Sequence, residues 1–241
     1  YPGVTPEIFI PLKGHLEYHY QGKAYQRDRG VFFGFLHSHI VSNFQTSPEF
    51  ILITFKSRGL SSILPFVDIE LAGIMKDPII ELTQIFAGAT REFEAKLRTL
   101  SPEEIVDEIE HWLYHIFNAE RKSFISDLSG ELGNNLSVSR IMEYTNYSYS
   151  SVERYFKRDT GLTPKQYLIL RRFKAALSTL IKTRNTDWME YVVTFGYHDQ
   201  SHFIKEFIRL SGFTPMQILQ NPYLISERPD IDFLTNLYNV D

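Results

Sequence analysis

Two stretches of this sequence carry the same kinds of hydrogen-bonding side chain 51 positions apart. Ser150 is matched by Ser201, Arg154 by Lys205 and Arg158 by Arg209, with Phe156 and Phe207 holding the same register between them. At helical spacing Val152, Tyr155 and Phe156 fall on one face, as do Phe203 and Phe207. That leaves Ser150, Glu153, Arg154, Lys157 and Arg158 outward in one helix, and Gln200, Ser201, Lys205 and Arg209 in the other. These residue types can read base pairs. Arg or Lys pairs with guanine, Gln with adenine, and Glu accepts from cytosine N4, while hydroxyls and the remaining cations hold phosphates. A solvated helix face carries similar residues, so one such helix would decide nothing; two copies in register need an explanation.

The elements that position these helices also repeat. Val138, Ile141 and Met142 lead into a turn at Asn146-Tyr147-Ser148, and Met189, Val192 and Val193 lead into Gly196-Tyr197-His198-Asp199. Asn and Gly tolerate the left-handed backbone of a tight helix-helix turn. Ser148 and Asp199 then stand as N-caps. The second turn is one residue longer. Gly161-Leu162-Thr163-Pro164 matches Gly212-Phe213-Thr214-Pro215, and Gln166 matches Gln217. Between the copies, Leu170, Phe173, Leu177, Leu180 and Ile181 make one apolar helical face, with Arg171, Arg172 and Lys174 adding cations nearby.

Charge is distributed accordingly. The whole chain of 241 residues has a net charge of −4, which on its face argues against a polyanionic partner. Residues 136–220, however, hold 12 Lys and Arg against 7 Asp and Glu, whereas residues 1–127 hold 12 against 17. A basic block between acidic flanks suggests a nucleic-acid module joined to something else.

Residues 136–220 resemble the AraC/XylS family of bacterial transcription regulators. The run from Phe195 to Phe203 (FGYHDQSHF) is similar to the family's second signature, and that from Arg154 to Tyr167 (RYFKRDTGLTPKQY) to the end of its first. The resemblance implies a seven-helix domain with two helix-turn-helix units, whose recognition helices enter successive major-groove segments on one DNA face. By position it implies base contacts from Ser150, Glu153 and Arg154 and from Gln200, Ser201 and Lys205. Ser151, Lys157, Arg158, Arg172, His202 and Arg209 are implied as phosphate contacts, Arg158, Arg172 and His202 having a structural role as the alternative. Met142 and Val192 depart from the pattern, standing where the family usually has alanine.

The N-terminal half alternates short apolar runs with turn signals. Ile8–Leu12, Leu16–Tyr20, Val31–Leu36 and Phe50–Lys56 read as strands. From Asp77-Pro78 onward, Ile79, Leu82, Phe86, Ala89, Phe93, Leu97 and Leu100 recur at helical steps, and Ser101-Pro102 starts a further helix. Phe55-Lys56-Ser57-Arg58-Gly59-Leu60 is similar to the strand-to-helix junction of cupin-like sensor domains. The fold class expected is therefore α+β: a small cupin-like β-sandwich or barrel with flanking helices, then an all-α DNA-binding domain. The boundaries expected are 1–125 for an effector-binding or dimerisation domain (β-rich 1–60, helical 60–125), 126–135 for a linker, 136–221 for the DNA-binding domain and 222–241 for a tail.

Sites for other chemistry are sparse. The aromatic clusters read first as core; as a pocket they would offer Tyr18, Tyr20, Phe33, Phe35 and His37 to an effector. His37-Ser38-His39 has the spacing of a strand-borne metal pair, but Glu49 lies too far along the chain for the usual cupin ligand set. His111 and His115 are one helical turn apart without a third ligand in view. With no cysteine, a disulfide scaffold, a thiolate zinc site and a thiol nucleophile are excluded. No nucleophilic triad, phosphate loop or dinucleotide motif is present, and no apolar run approaches the ~20 residues of a membrane span. The reading is a cytoplasmic, non-enzymatic, one-component transcription regulator without cofactor or metal. Its expected partners are double-stranded promoter DNA, RNA polymerase, a small-molecule effector and a second copy of itself. A metal-dependent cupin-type enzyme tethered to a DNA-binding module is the alternative. The chain starts at Tyr1 rather than Met, which leaves room for native residues ahead of it.

Overall fold

The computed structural model describes residues 6–34, 36, 39–43, 49–55, 79–86, 89–116, 124, 125, 128 and 137–221. The expected positions Phe35, His37 and Ser38, and the tail from 222, lie outside the described residues. Among the described residues seven strands come first: β1 (Glu7–Lys13), β2 (Leu16–Tyr20), β3 (Lys23–Arg27), β4 (Val31–Phe33), β5 (Val41–Asn43), β6 (Glu49–Thr54) and β7 (Ile79–Glu81). The helices are α1 (Leu82–Ile85), α2 (Ala89–Leu97), α3 (Pro102–Ile116), α4 (Val138–Thr145), α5 (Tyr149–Thr160), α6 (Pro164–Thr183), α7 (Trp188–Phe195), α8 (Gln200–Ser211) and α9 (Pro215–Gln220). The chain divides into two compact bodies, with the boundary falling on α6 between Leu168 and Ile169.

In the first body an antiparallel sheet of order β6-β1-β4-β7 and a second of order β3-β2-β5 share one core. Alternation along β2 makes the inward set: Leu16, Tyr18 and Tyr20 are buried while His19 points out. They meet Phe9 of β1, Val31 and Phe33 of β4 and Ile79 of β7. Ile8 and Ile10, on the opposite face of β1 from Phe9, are buried too, so this strand is covered on both sides. Among the helices, Trp112 of α3 stacks on Phe93 of α2 at 4.5 Å and meets Phe86 edge-on at 5.3 Å. The start of α3 is fixed as its sequence suggests. Glu104 accepts from the Ser101 N–H at 2.8 Å, which holds its carboxyl below the usual range, and Ser101 Oγ accepts from the Glu104 N–H at 3.4 Å.

One expectation needs correction here. Ile79 does not begin a helix: Ile79–Glu81 is a strand whose register on β4 pairs Val31 with Glu81 and Phe33 with Ile79. The open hydrogen-bonding edge of β4 outweighs the helical period, which resumes at Leu82 and, after a break, at Ala89. Leu128, inside the stretch read as a linker, is helical and buried, as is Ile125 just before it. Two apolar side chains that find a packing surface prevail there over the Ser- and Gly-rich composition around them.

Candidate nucleic-acid interface

The recognition helices α5 and α8 are built by the same local devices. Asn146 (φ 54°) and Gly196 (φ 68°) adopt the left-handed conformation that ends α4 and α7. Ser148 Oγ accepts from the Ser151 N–H at 3.3 Å, capping α5. Asp199 Oδ1 accepts from the His202 N–H at 2.7 Å, capping α8. That bond, with a further one from the His198 ring, holds the Asp199 carboxyl below the usual carboxylate range. Both helices end on left-handed glycines, Gly161 and Gly212. Near each end a hydroxyl turns back onto its own helix: Thr160 donates to the Phe156 carbonyl and Ser211 to the Phe207 carbonyl, both at 2.7 Å. Thr163 with Gln166, and Thr214 with Gln217, then make reciprocal caps for α6 and α9.

Each recognition helix therefore buries one stripe and shows the other to solvent. Val152 and Phe156 are inside in α5, and Phe203 and Phe207 in α8. Ser150, Arg154, Lys157 and Arg158 are exposed on α5, as are Gln200, Ser201, Lys205 and Arg209 on α8. Glu153 is half-buried and paired with Lys157 at 2.7 Å, one turn away. Ser151 is half-buried, its hydroxyl 3.2 Å from that of Ser148. Arg154 and Arg158 lie over the ring of Tyr155 at 5.4 and 5.0 Å, which keeps two flexible cations close to the helix surface.

The side chains that hold these helices differ between the copies. In the first, Tyr155 stacks on Phe124 at 4.8 Å and on Tyr147 at 5.3 Å. The next backbone N–H, of Ile125, donates to Asp159 at 3.4 Å, and Asp159 also takes Arg158 Nε at 2.8 Å. In the second copy the residue 51 positions after Tyr155 is Glu206, and it is buried. Arg172 of α6 donates to both its carboxylate oxygens, from Nε at 3.1 Å and Nη2 at 2.5 Å. The same guanidinium lies 4.3 Å from the centre of the Tyr197 ring, and its Nη1 reaches the Gly196 carbonyl at 3.4 Å. Burial first, and the neighbouring Glu206 charge second, push the Tyr197 phenol well above its ordinary range.

Three of the expected phosphate contacts are thus engaged in the protein's own network. Arg158, on Asp159, is one, and Arg172, on Glu206, is another. His202 is the third: its Nδ1 accepts the His198 N–H at 3.2 Å, and its Nε2 lies 3.8 Å from Glu206. The sequence reading missed the roles of Asp159 and Glu206, although the signal was present. Each acid falls on the apolar stripe of its own helix, seven residues after Val152 in one case and three after Phe203 in the other, where a charge has to find a partner.

In the N-terminal half the structure brings Tyr18, Tyr20 and Phe33 together as core, with Tyr18 stacked on Tyr25 at 4.9 Å and edge-on to Phe33 at 6.1 Å. His39 lies outside any strand. His111 and His115 approach to 3.1 Å between their Nε2 atoms, and no group of three or more metal-capable side chains occurs among the described residues. No helix among those residues is long and apolar enough to cross a membrane.

A capped helix, a left-handed turn and a second capped helix with an exposed polar stripe define a helix-turn-helix unit, and the described residues hold two. Comparison with known proteins agrees. The family model for a helix-turn-helix domain matches residues 141–221, so this part of the chain is a helix-turn-helix domain of the AraC type. The uncharacterized HTH-type transcriptional regulator YidL of Escherichia coli (strain K12) is 32% identical over 100 residues, covering 42% of this chain. The match spans 33% of that relative's length. Among solved structures, ToxT from Vibrio cholerae has a similar fold, with a TM-score of 0.50 at 11% identity over 89% of both chains. A β-rich N-terminal part followed by an all-helical C-terminal domain is common to both.

Proposed function

We propose that this protein is a one-component, sequence-specific DNA-binding transcription regulator, with Ser150, Glu153, Arg154, Gln200, Ser201 and Lys205 meeting base edges. The observation that carries the reading is the duplication of a capped helix whose exposed stripe holds Ser, Arg and Lys at matched positions. Ser151, Lys157 and Arg209 stand beside those stripes and would hold phosphates, while Arg158 is engaged by the buried Asp159 and takes the structural alternative. The DNA-binding domain on this reading begins with the helical residues at Phe124 rather than at 136. Its partners are double-stranded promoter DNA in the bacterial cytoplasm, RNA polymerase and a second copy of the chain. A small-molecule effector would act through the N-terminal β-domain.

Selection of bound sequences from random duplex DNA, followed by footprinting, tests the proposal. A defined motif is expected, and equal binding of all sequences overturns it. Arg154→Ala should relax the preference at one base position, by about 1–3 kcal/mol for a lost bidentate contact. Uniform weakening on every sequence would instead make Arg154 a phosphate contact.

A further inference from the structure

Arg172 has the charge and neighbourhood of a phosphate contact, but its surroundings give it another task. Its guanidinium fork is directed at Glu206, whose side chain is 5% exposed, and one of its faces is taken by the Tyr197 ring. Arg172 belongs to α6, Tyr197 and the Gly196 carbonyl to the turn, and Glu206 to the middle of α8. One planar group therefore ties the supporting helix, the turn and the recognition helix of the second unit. To reach a phosphate it would have to leave a buried carboxylate without its cation, and losing one partner of such a pair is strongly unfavourable. An exposed cation such as Lys205 or Arg209 meets no such obstacle.

We propose that Arg172, with Glu206 and Tyr197, is a positioning clamp that sets the approach of α8 to DNA, and that it makes no phosphate contact itself. The clamp belongs to the second unit alone, because the first has Tyr155 at the position of Glu206 and exposed Tyr147 at the position of buried Tyr197. This inference rests on the DNA-binding reading above. Failure of the unmodified protein to bind selected DNA would sink that reading, whereas the clamp is judged only against unmodified binding.

The test uses the full chain and the DNA duplex selected with it, with affinity measured by fluorescence anisotropy across a range of salt concentrations. Electrostatics alone and positioning predict opposite signs for Glu206→Gln. Removing an acid from a DNA-facing domain strengthens binding if only charge matters; loss of the clamp weakens it, on the order of tenfold, or about 1.4 kcal/mol. Arg172→Lys keeps the charge but loses the fork and the stacked face. A positioning role makes it as weak as Arg172→Gln, with the salt dependence of all three variants matching that of the unmodified protein. In footprints, protection should fade over the half-site of the second unit and persist over that of the first. The proposal is overturned if Arg172→Gln lowers the salt slope by about 0.9, as loss of one phosphate contact would, while Arg172→Lys and Glu206→Gln bind normally. Should Arg172→Gln fail to fold, the comparison of Arg172→Lys with Glu206→Gln still decides the matter.

Discussion

The two helix-turn-helix units share their backbone devices position by position, yet they are stabilised by different chemistry. In the first, the turn tyrosine Tyr147 is 42% exposed and stacks with Tyr155 and Phe124 at the surface. In the second, Tyr197 is 5% exposed and lies beneath a guanidinium that is itself held by Glu206. The repeat therefore preserves what the backbone needs, namely left-handed turn residues, caps and inward aromatics. What braces each unit against its preceding helix is free to differ, because an aromatic stack and a buried ion pair can fill the same position. The first unit's brace comes from Phe124 and Ile125, which precede α4 in the chain. The second unit's brace comes from α6.

The largest break in this comparison should come from Glu206→Ala. It leaves the Arg172 cation without its buried partner, and should lower the unfolding free energy by about 3 kcal/mol in urea titrations. Amide exchange should accelerate in α8 and leave α5 protected; a uniform loss in both helices would show that the braces are not separate. Phe124→Ala is the mirror experiment. Removing a half-buried ring that stacks on Tyr155 and Tyr147 should cost about 2 kcal/mol, with faster exchange in α5 and little change in α8.

A smaller difference separates the caps. Ser148→Ala should cost about 1 kcal/mol in the first unit, at any pH. The second unit's cap is a carboxylate whose folded pKa lies below its ordinary value. Its stabilisation is therefore complete above the unfolded pKa of about 3.9 and is lost as pH falls through the folded value. Acid titration followed by NMR should show α8 fraying at its N-terminus before α5 does. Asp199→Asn keeps an oxygen acceptor and should remove that difference in acid sensitivity. Equal fraying of both helices in the unmodified protein would place the acid sensitivity elsewhere.

Much of the DNA-facing half was legible because its determinants are local. Asn146 and Gly196 announce turns, Ser148 and Asp199 announce helix starts, and an offset of 51 aligns the two copies without any knowledge of packing. Asp159 and Glu206 were visible as acids on apolar stripes, but nothing local says that the Ile125 N–H meets the one and Arg172 the other. Ile79–Glu81 shows the opposite case, in which a helical period gives way to a strand because β4 presents an unpaired edge. Leu128 is buried within a Gly- and Ser-rich stretch, which composition alone does not announce.

The sequence by itself determined two capped helices with exposed polar stripes, since caps, turns and helical periodicity act over a few residues and need no distant partner. Only the tertiary structure decided which cations remain free to meet DNA. Arg154, Lys205 and Arg209 stay at the surface, while Arg172 is drawn to Glu206, because a carboxylate taken out of water binds the nearest cation regardless of separation along the chain.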